Sequence, residues 1–149
     1  MALDPQTLPT LTPAEFVTAV KRASDREIAE LFGGPHREAL LDAVFARFPG
    51  QFRPEKAGDR SARIDFRVTG GPDGSSDTYA VVVDSGACTV EKAPTAEPQL
   101  SLMAGPAEFL KLITGTGNPA MMFMMGKIKA RGDIGLATAL GTWFETPTA

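Results

Sequence analysis

An α/β fold is predicted, and three observations predict it. Apolar residues recur at helical spacing behind clear cap signals at both ends of the chain. Five short segments, at 62–69, 77–84, 87–92, 98–103 and 127–131, show the alternation or β-rich composition of strands. The chain has 149 residues, 43% of them hydrophobic, enough for one core without covalent staples.

The elements follow in order. Residues 1–11 are proline-rich and read as a flexible segment. In "TPAE", Thr12 caps a helix, Pro13 opens it and Glu15 reaches back, with Phe16 and Val20 on one face. "SDRE" repeats the box at Ser24 and Glu27, ahead of Ile28, Leu31 and Phe32, and Gly33-Gly34 ends that helix. Pro35 starts a third, whose stripe is Leu40, Leu41, Val44, Phe45 and Phe48, and "PG" at 49–50 ends it. Residues 51–62 read as a polar loop.

The period then changes. Ile64, Phe66 and Val68 alternate with Arg63, Asp65 and Arg67, the pattern of a half-buried strand. "TYAVVVD" is apolar on both sides and fits an inner strand, and "SG" at 85–86 turns it into a hairpin with "ACTVEK". "QLSLM" is the fourth strand. A helix from Gly105-Pro106 carries Phe109, Leu112 and Ile113, and Gly115 and Gly117 end it. Asn118-Pro119 opens a short helix holding Met121 to Met125; it is apolar all round, which predicts burial. "KIKAR" is the fifth strand, and Asp133 caps a last helix with Leu136, Ala137, Leu140, Trp143 and Phe144 inward.

Composition excludes several functions. A net charge of −3 argues against a dedicated nucleic-acid binder. The single cysteine rules out an internal disulfide framework, and the single histidine rules out a multi-histidine metal site. No run approaches the length of a membrane span. "MALDPQTLPTLTP" lacks the features of a signal peptide, so a cytoplasmic protein is expected. His36 lies in the first turn of a helix, where a surface role is the plain reading. "GTGNPA" at 115–120 matches a dinucleotide fingerprint only formally, because it follows a helix instead of a strand. "RGD" at 131–133 is explained by a strand end plus a helix cap. No acid–base pair or nucleophile constellation is visible, and no cofactor or metal is implied.

The run "MMFMM" is unusual. Methionine fills irregular space but specifies shape poorly, a defect in a dry core and an asset in an adaptable pocket. The following helix has Ala or Gly at 135, 137, 139 and 141 and little bulk to fill space. Plain core packing remains the competing explanation.

The stretch "FLKLITGTGNPAMMFMMGKIKARGDIGLATAL" resembles the sterol carrier protein type-2 family. The shared features are an apolar helix, a G-x-x-N-P turn, an aromatic or Met helix, G-K-I-K, G-D and a small-residue helix. "DTYAVVVDSGACTVEKAPTAEPQLSLMAG" resembles the sheet that precedes them, and the likeness spans about residues 38–145. The resemblance implies a mixed five-stranded sheet, helices covering one face, and an apolar tunnel between them. It implies a non-catalytic carrier of sterols, fatty acids, acyl-CoA or other lipids. By position it assigns the tunnel wall to Phe109, Leu112, Ile113, Met121, Met122, Phe123, Met125, Leu136, Ala137, Leu140 and Phe144. The domain would be residues 35–145, with 12–34 a helical extension. Transient membrane contact and a homodimer are compatible with it. The alternative is an accessory or dimerisation module beside a separate enzyme, its tunnel filled by protein. An enzyme acting on lipid comes third.

Overall fold

The computed structural model describes residues 6–114, 119–133, 135, 136, 139 and 143. Its helices are α1 (Pro13–Arg22), α2 (Asp25–Phe32), α3 (Arg37–Phe45), α4 (Phe48–Gln51), α5 (Pro54–Ala57), α6 (Pro106–Thr114) and α7 (Pro119–Met124). Its strands are β1 (Ser61–Val68), β2 (Asp77–Asp84), β3 (Ala87–Lys92), β4 (Leu100–Ala104) and β5 (Ile128–Gly132). All five expected strands are present, β2 and β3 at the expected bounds and the other three with ends moved by one or two residues.

The strand order is β3-β2-β1-β4-β5. β1 pairs antiparallel with β2 and parallel with β4, and the outer pairs are antiparallel, so the sheet is mixed. The β2–β3 hairpin closes through Ser85 and Gly86, both at positive φ (48° and 87°), the conformation a two-residue turn needs to match strand twist.

Alternation fixes which face is covered. Ile64, Phe66 and Val68 of β1 are buried, as are Tyr79, Val81 and Val83 of β2 and Leu100 and Leu102 of β4. Against them lie Leu40, Leu41, Val44 and Phe45 of α3 and Phe109 and Leu110 of α6. The other face carries Arg63, Asp65 and Arg67, with Lys129 and Arg131 at the β5 edge.

Both capping boxes are formed. The Glu15 N–H donates to Thr12 Oγ1 at 3.1 Å and the Thr12 N–H to Glu15 Oε1 at 2.8 Å. These bonds hold the Glu15 carboxyl below the usual carboxylate range. Ser24 and Glu27 reproduce the box on α2. Phe16, Val20, Ile28 and Phe32 join the same core as the sheet.

Four expectations are corrected. The flexible reading of residues 1–11 fails for its described part. Leu8 is fully buried, and Arg47 donates to the carbonyls of Leu8 (3.2 Å) and Leu11 (3.1 Å), tying this segment to the core. The third helix starts at Arg37 instead of Pro35 and ends at Phe45; Phe48 belongs to α4. There Pro49 lies in the first turn, where a missing N–H breaks no helical bond, so "PG" continues the structure instead of stopping it. The polar loop contains α5, opened by Pro54 and anchored by buried Ala57. The fourth correction concerns the methionines and is given with the site.

Arg37 joins four elements. Its guanidinium is buried and donates to Asp77 Oδ2 (2.7 Å), Phe32 O (2.9 Å), Val68 O (2.6 Å) and Thr69 O (3.2 Å). The charge fixes the end of α2 and the exit of β1 against α3, and it satisfies carbonyls that would otherwise be buried without donors.

Candidate functional site

The layer between helices and sheet has two parts. Its middle is aromatic. Phe45 stacks on Tyr79 with centroids 4.2 Å apart, on Phe109 at 5.0 Å and on Phe48 at 5.4 Å, and Phe66 meets Phe109 edge-on at 5.8 Å. Tyr79 keeps its hydroxyl on the Asp42 carboxylate. Burial, with that carboxylate beside it, pushes the phenol well above its ordinary range. This part is sealed.

The second part is built on α7, which packs on the edge strand β5. Met122, Ile128 and Leu136 are buried, while Leu112, Ile113, Phe123 and Ala139 are half-buried and packed against the same core. α7 ends in a tight reversal. The Lys127 N–H donates to Met122 O at 2.9 Å and the Gly126 N–H to Phe123 O at 3.1 Å. Gly126 sits at φ 73°, where glycine carries no Cβ penalty. This Schellman turn passes the chain directly into β5.

The burial expected of the whole "MMFMM" run is corrected here. Met121 is 53% exposed, Met124 85% and Met125 62%. A helix of six residues that rests one side on the edge strand leaves its other sides to solvent, whatever their polarity. Of the assigned wall residues, Phe109 lies in the sealed middle. Met122 and Leu136 are buried in the hydrophobic core, Leu112, Ile113 and Phe123 are half-buried against it, and Met121 and Met125 reach outward. Ala137, Leu140 and Phe144 lie outside the described residues, as do Gly115, Gly117 and Asn118. Asp133 caps as expected, accepting the Gly135 N–H at 3.0 Å.

Trp143 was expected inward but was not assigned to the tunnel wall. Its ring is buried under the Arg60 guanidinium (4.9 Å), and its carbonyl accepts the Arg53 N–H at 2.6 Å. The signal available was its place on the inward face of the last helix. Phe45 and Phe48 were legible as core, but their stacking against β2 and α6 is long-range and left no mark on spacing.

Reactive groups are few near this apolar layer. Cys88 is half-buried in β3, and burial pushes its thiol up to about 11, so it is protonated at neutral pH and a poor nucleophile. His36 is exposed, away from the layer. Among the described residues no group of three or more His, Cys, Asp or Glu side chains could hold a metal. Among them, too, no helix is long and apolar enough to cross a membrane.

A sealed aromatic layer under helices, open to half-buried apolar side chains at one end of a mixed sheet, defines a class of small α/β proteins built around an apolar interior. The model of the SCP-2 sterol transfer family matches residues 45–145, and the chain belongs to that family. Human sterol carrier protein 2 is 35% identical over 75 residues, which are 50% of this chain and 14% of the human protein. The chain thus spans a small part of the length of the curated relatives it matches. The solution structure of palmitated SCP2L2 from Aedes aegypti shares the fold with a TM-score of 0.50 at 22% identity, over 67% of this chain and 86% of that one. The fold also recurs within the sec-alkylsulfatase Pisa1 from Pseudomonas sp. (TM-score 0.59, 13% identity, 73% of this chain and 16% of that one).

Proposed function

We propose that this chain is a non-catalytic carrier of a sterol, fatty acyl chain or other apolar lipid, held between the sheet and the helices at the α7–β5 corner. The observation that supports this most is the family match over residues 45–145, in a chain whose Leu112, Ile113 and Phe123 stay half-buried against the core while Met122 is buried. Met122 and Phe123 supply an adaptable wall and Phe109 a rigid floor; Ala137, Leu140 and Phe144 are assigned to the wall by their place in the sequence. Residues 35–145 are read as the lipid-binding domain. Residues 12–34 are read as a helical extension that braces α6, and the cytoplasm as its compartment.

A lipid burying about ten methylenes gains roughly 8 kcal/mol before the costs of association. Longer chains or head-group contacts that offset those costs give affinity on the order of micromolar. The reading requires no catalytic residue.

The test is direct. Solvent extraction of purified protein followed by mass spectrometry should yield a lipid in near-stoichiometric amount. A fluorescent fatty acid should then bind the delipidated protein. Ile113→Trp and Ala137→Phe, which add bulk at the wall, should weaken that binding about tenfold or more while changing the melting temperature little. Binding no tighter than to an unrelated globular protein, or equal in all three proteins, would reject the reading.

A further inference from the structure

We propose that the sheet face turned away from α3 and α6 is the interface of a symmetric homodimer of this chain. Two atoms at its centre point to a partner. Arg63 Nη1 and Asp65 Oδ1 are shut off from solvent and make no hydrogen bond. One is a donor and the other an acceptor, and they stand two residues apart on β1, the middle strand. The other end of the Arg63 guanidinium is held by Glu91 at 2.7 Å, across β2 and beside the fully buried Ala80. Burial pushes the Asp65 carboxyl up more than nearby Arg63 pulls it back, and Glu91 adds to the rise. Solvent accounts for charges on the uncovered face of a sheet. It does not account for a guanidinium nitrogen and a carboxylate oxygen buried without partners, which folded proteins rarely leave so.

A two-fold axis supplies both partners. It lies in the plane of the interface, crosses the strands at right angles and passes level with Ile64, midway between the two residues. Each Arg63 then faces the partner's Asp65, and each Asp65 faces the partner's Arg63. The sheet register extends the match. Val82 and Thr89 share the row of Arg63, and Ala80 and Glu91 share the row of Asp65. The axis exchanges the two rows, so Val82 falls on the partner's Ala80 and Thr89 on the partner's Glu91, and no like charges meet there. Three residues beyond Ile64, Arg67 falls on the partner's Ser61, which is paired in register with Asp84. An axis along β1 would instead set Arg63 on Arg63 and Asp65 on Asp65. The charge pattern therefore selects the crossing axis, and the interface is self-complementary as two-fold symmetry requires.

Stacked sheets cross at about 30°, which displaces outer pairs more than central ones, and Arg63 and Asp65 are central. Five strands span about 24 Å by about 20 Å, or roughly 500 Å² per copy. Two such faces bury on the order of 1,000 Å², the lower bound for a specific pair, so a weak dimer is expected. The proposal is independent of the carrier reading, since the apolar layer lies on the other side of the sheet.

Sedimentation velocity on the full chain, from about 5 μM to about 500 μM, should show a monomer–dimer equilibrium. Asp65→Arg sets a cation against the partner's Arg63, and Arg63→Asp sets an acid against the partner's Asp65. Each variant alone should stay monomeric over that range. Mixed in equal amounts, they should form a heterodimer, because each then meets opposite charge at both positions. The milder Asp65→Asn should weaken the wild-type dimer about tenfold or more. Circular dichroism would show that the variants are folded. A monomeric wild type, a reversal variant that dimerises alone, or folded reversal variants that fail to pair would each overturn the proposal. Should a reversal variant fail to fold, an unchanged dimer in Asp65→Asn would overturn it instead.

Discussion

At the middle of the sheet Phe45 lies flat on Tyr79 at 4.2 Å and against Phe48 and Phe109, with every ring buried. At the β5 edge of the same layer Met122 alone of four methionines is buried, and Met121, Met124 and Met125 stand largely in water. Both regions are equally apolar by composition. They differ in stiffness and closure. Rings offer few rotamers and fixed faces, so a stacked set specifies one arrangement. Thioether chains adapt to whatever occupies the space. On the carrier reading, hydrophobicity here is divided between two purposes: one region holds the fold together, and the other is left for a ligand.

The sharpest way to break that division is at its rigid end. Phe45→Ala should cost about 3–5 kcal/mol, because it removes a ring in contact with several others and leaves a cavity that stiff neighbours cannot fill. For a domain whose total stability is of order 5–15 kcal/mol, that is a large fraction. Urea denaturation measures it. A loss under about 1 kcal/mol would mean that the middle collapses as readily as the edge, and the distinction would disappear.

A somewhat smaller effect is expected at the clamp that frames the rigid part. Arg37→Met should destabilise by roughly 3 kcal/mol, since it strands the carbonyls of Phe32, Val68 and Thr69 and leaves Asp77 without its partner. Asp77→Asn should cost far less. The Asp77 side chain is 51% exposed and water replaces part of what it loses, whereas that of Arg37 is only 6% exposed. Equal losses in the two variants would show that the ion pair, and not the carbonyl cluster, is what Arg37 provides.

Local signals in the sequence gave up most of the fold. The capping boxes at Thr12 and Ser24, the strand alternation around Ile64 to Val68 and the Ser85-Gly86 turn are decided within a few residues, so they were legible. The helix stop assigned to Pro49-Gly50 was misread because the same dipeptide suits a helix start, and only the break at Ala46-Arg47 decides between them. Leu8 looked like part of a loose leader because its anchor, Arg47, is far along the chain. Arg37 gave no sign of its role for the same reason: its acceptors belong to α2, the end of β1 and the segment after it. In the methionine run, the burial of Met122 was legible from its apolar neighbours in sequence. The exposure of Met124 and Met125 was not, because burial depends on what a face meets, and a six-residue helix meets little.

The finest test of the contrast lies within α7 itself. Met122 and Met124 are two positions apart, of one residue type and in one helix, yet they are 6% and 85% exposed. Met122→Ala should cost about 2–3 kcal/mol, less a few tenths recovered from alanine's better helix propensity. It should also change fatty acid affinity, because the adaptable wall loses its buried member. Met124→Ala removes a side chain already in water, so its stability should stay within about 0.5 kcal/mol of wild type and its fatty acid affinity should not move. Thermal melts and a fluorescent fatty acid titration on the pair read both quantities. Parallel behaviour of the two variants would place both methionines in one environment and leave α7 as undifferentiated packing. Divergence would locate the boundary between the closed layer and the proposed lipid-binding corner at a single helical turn.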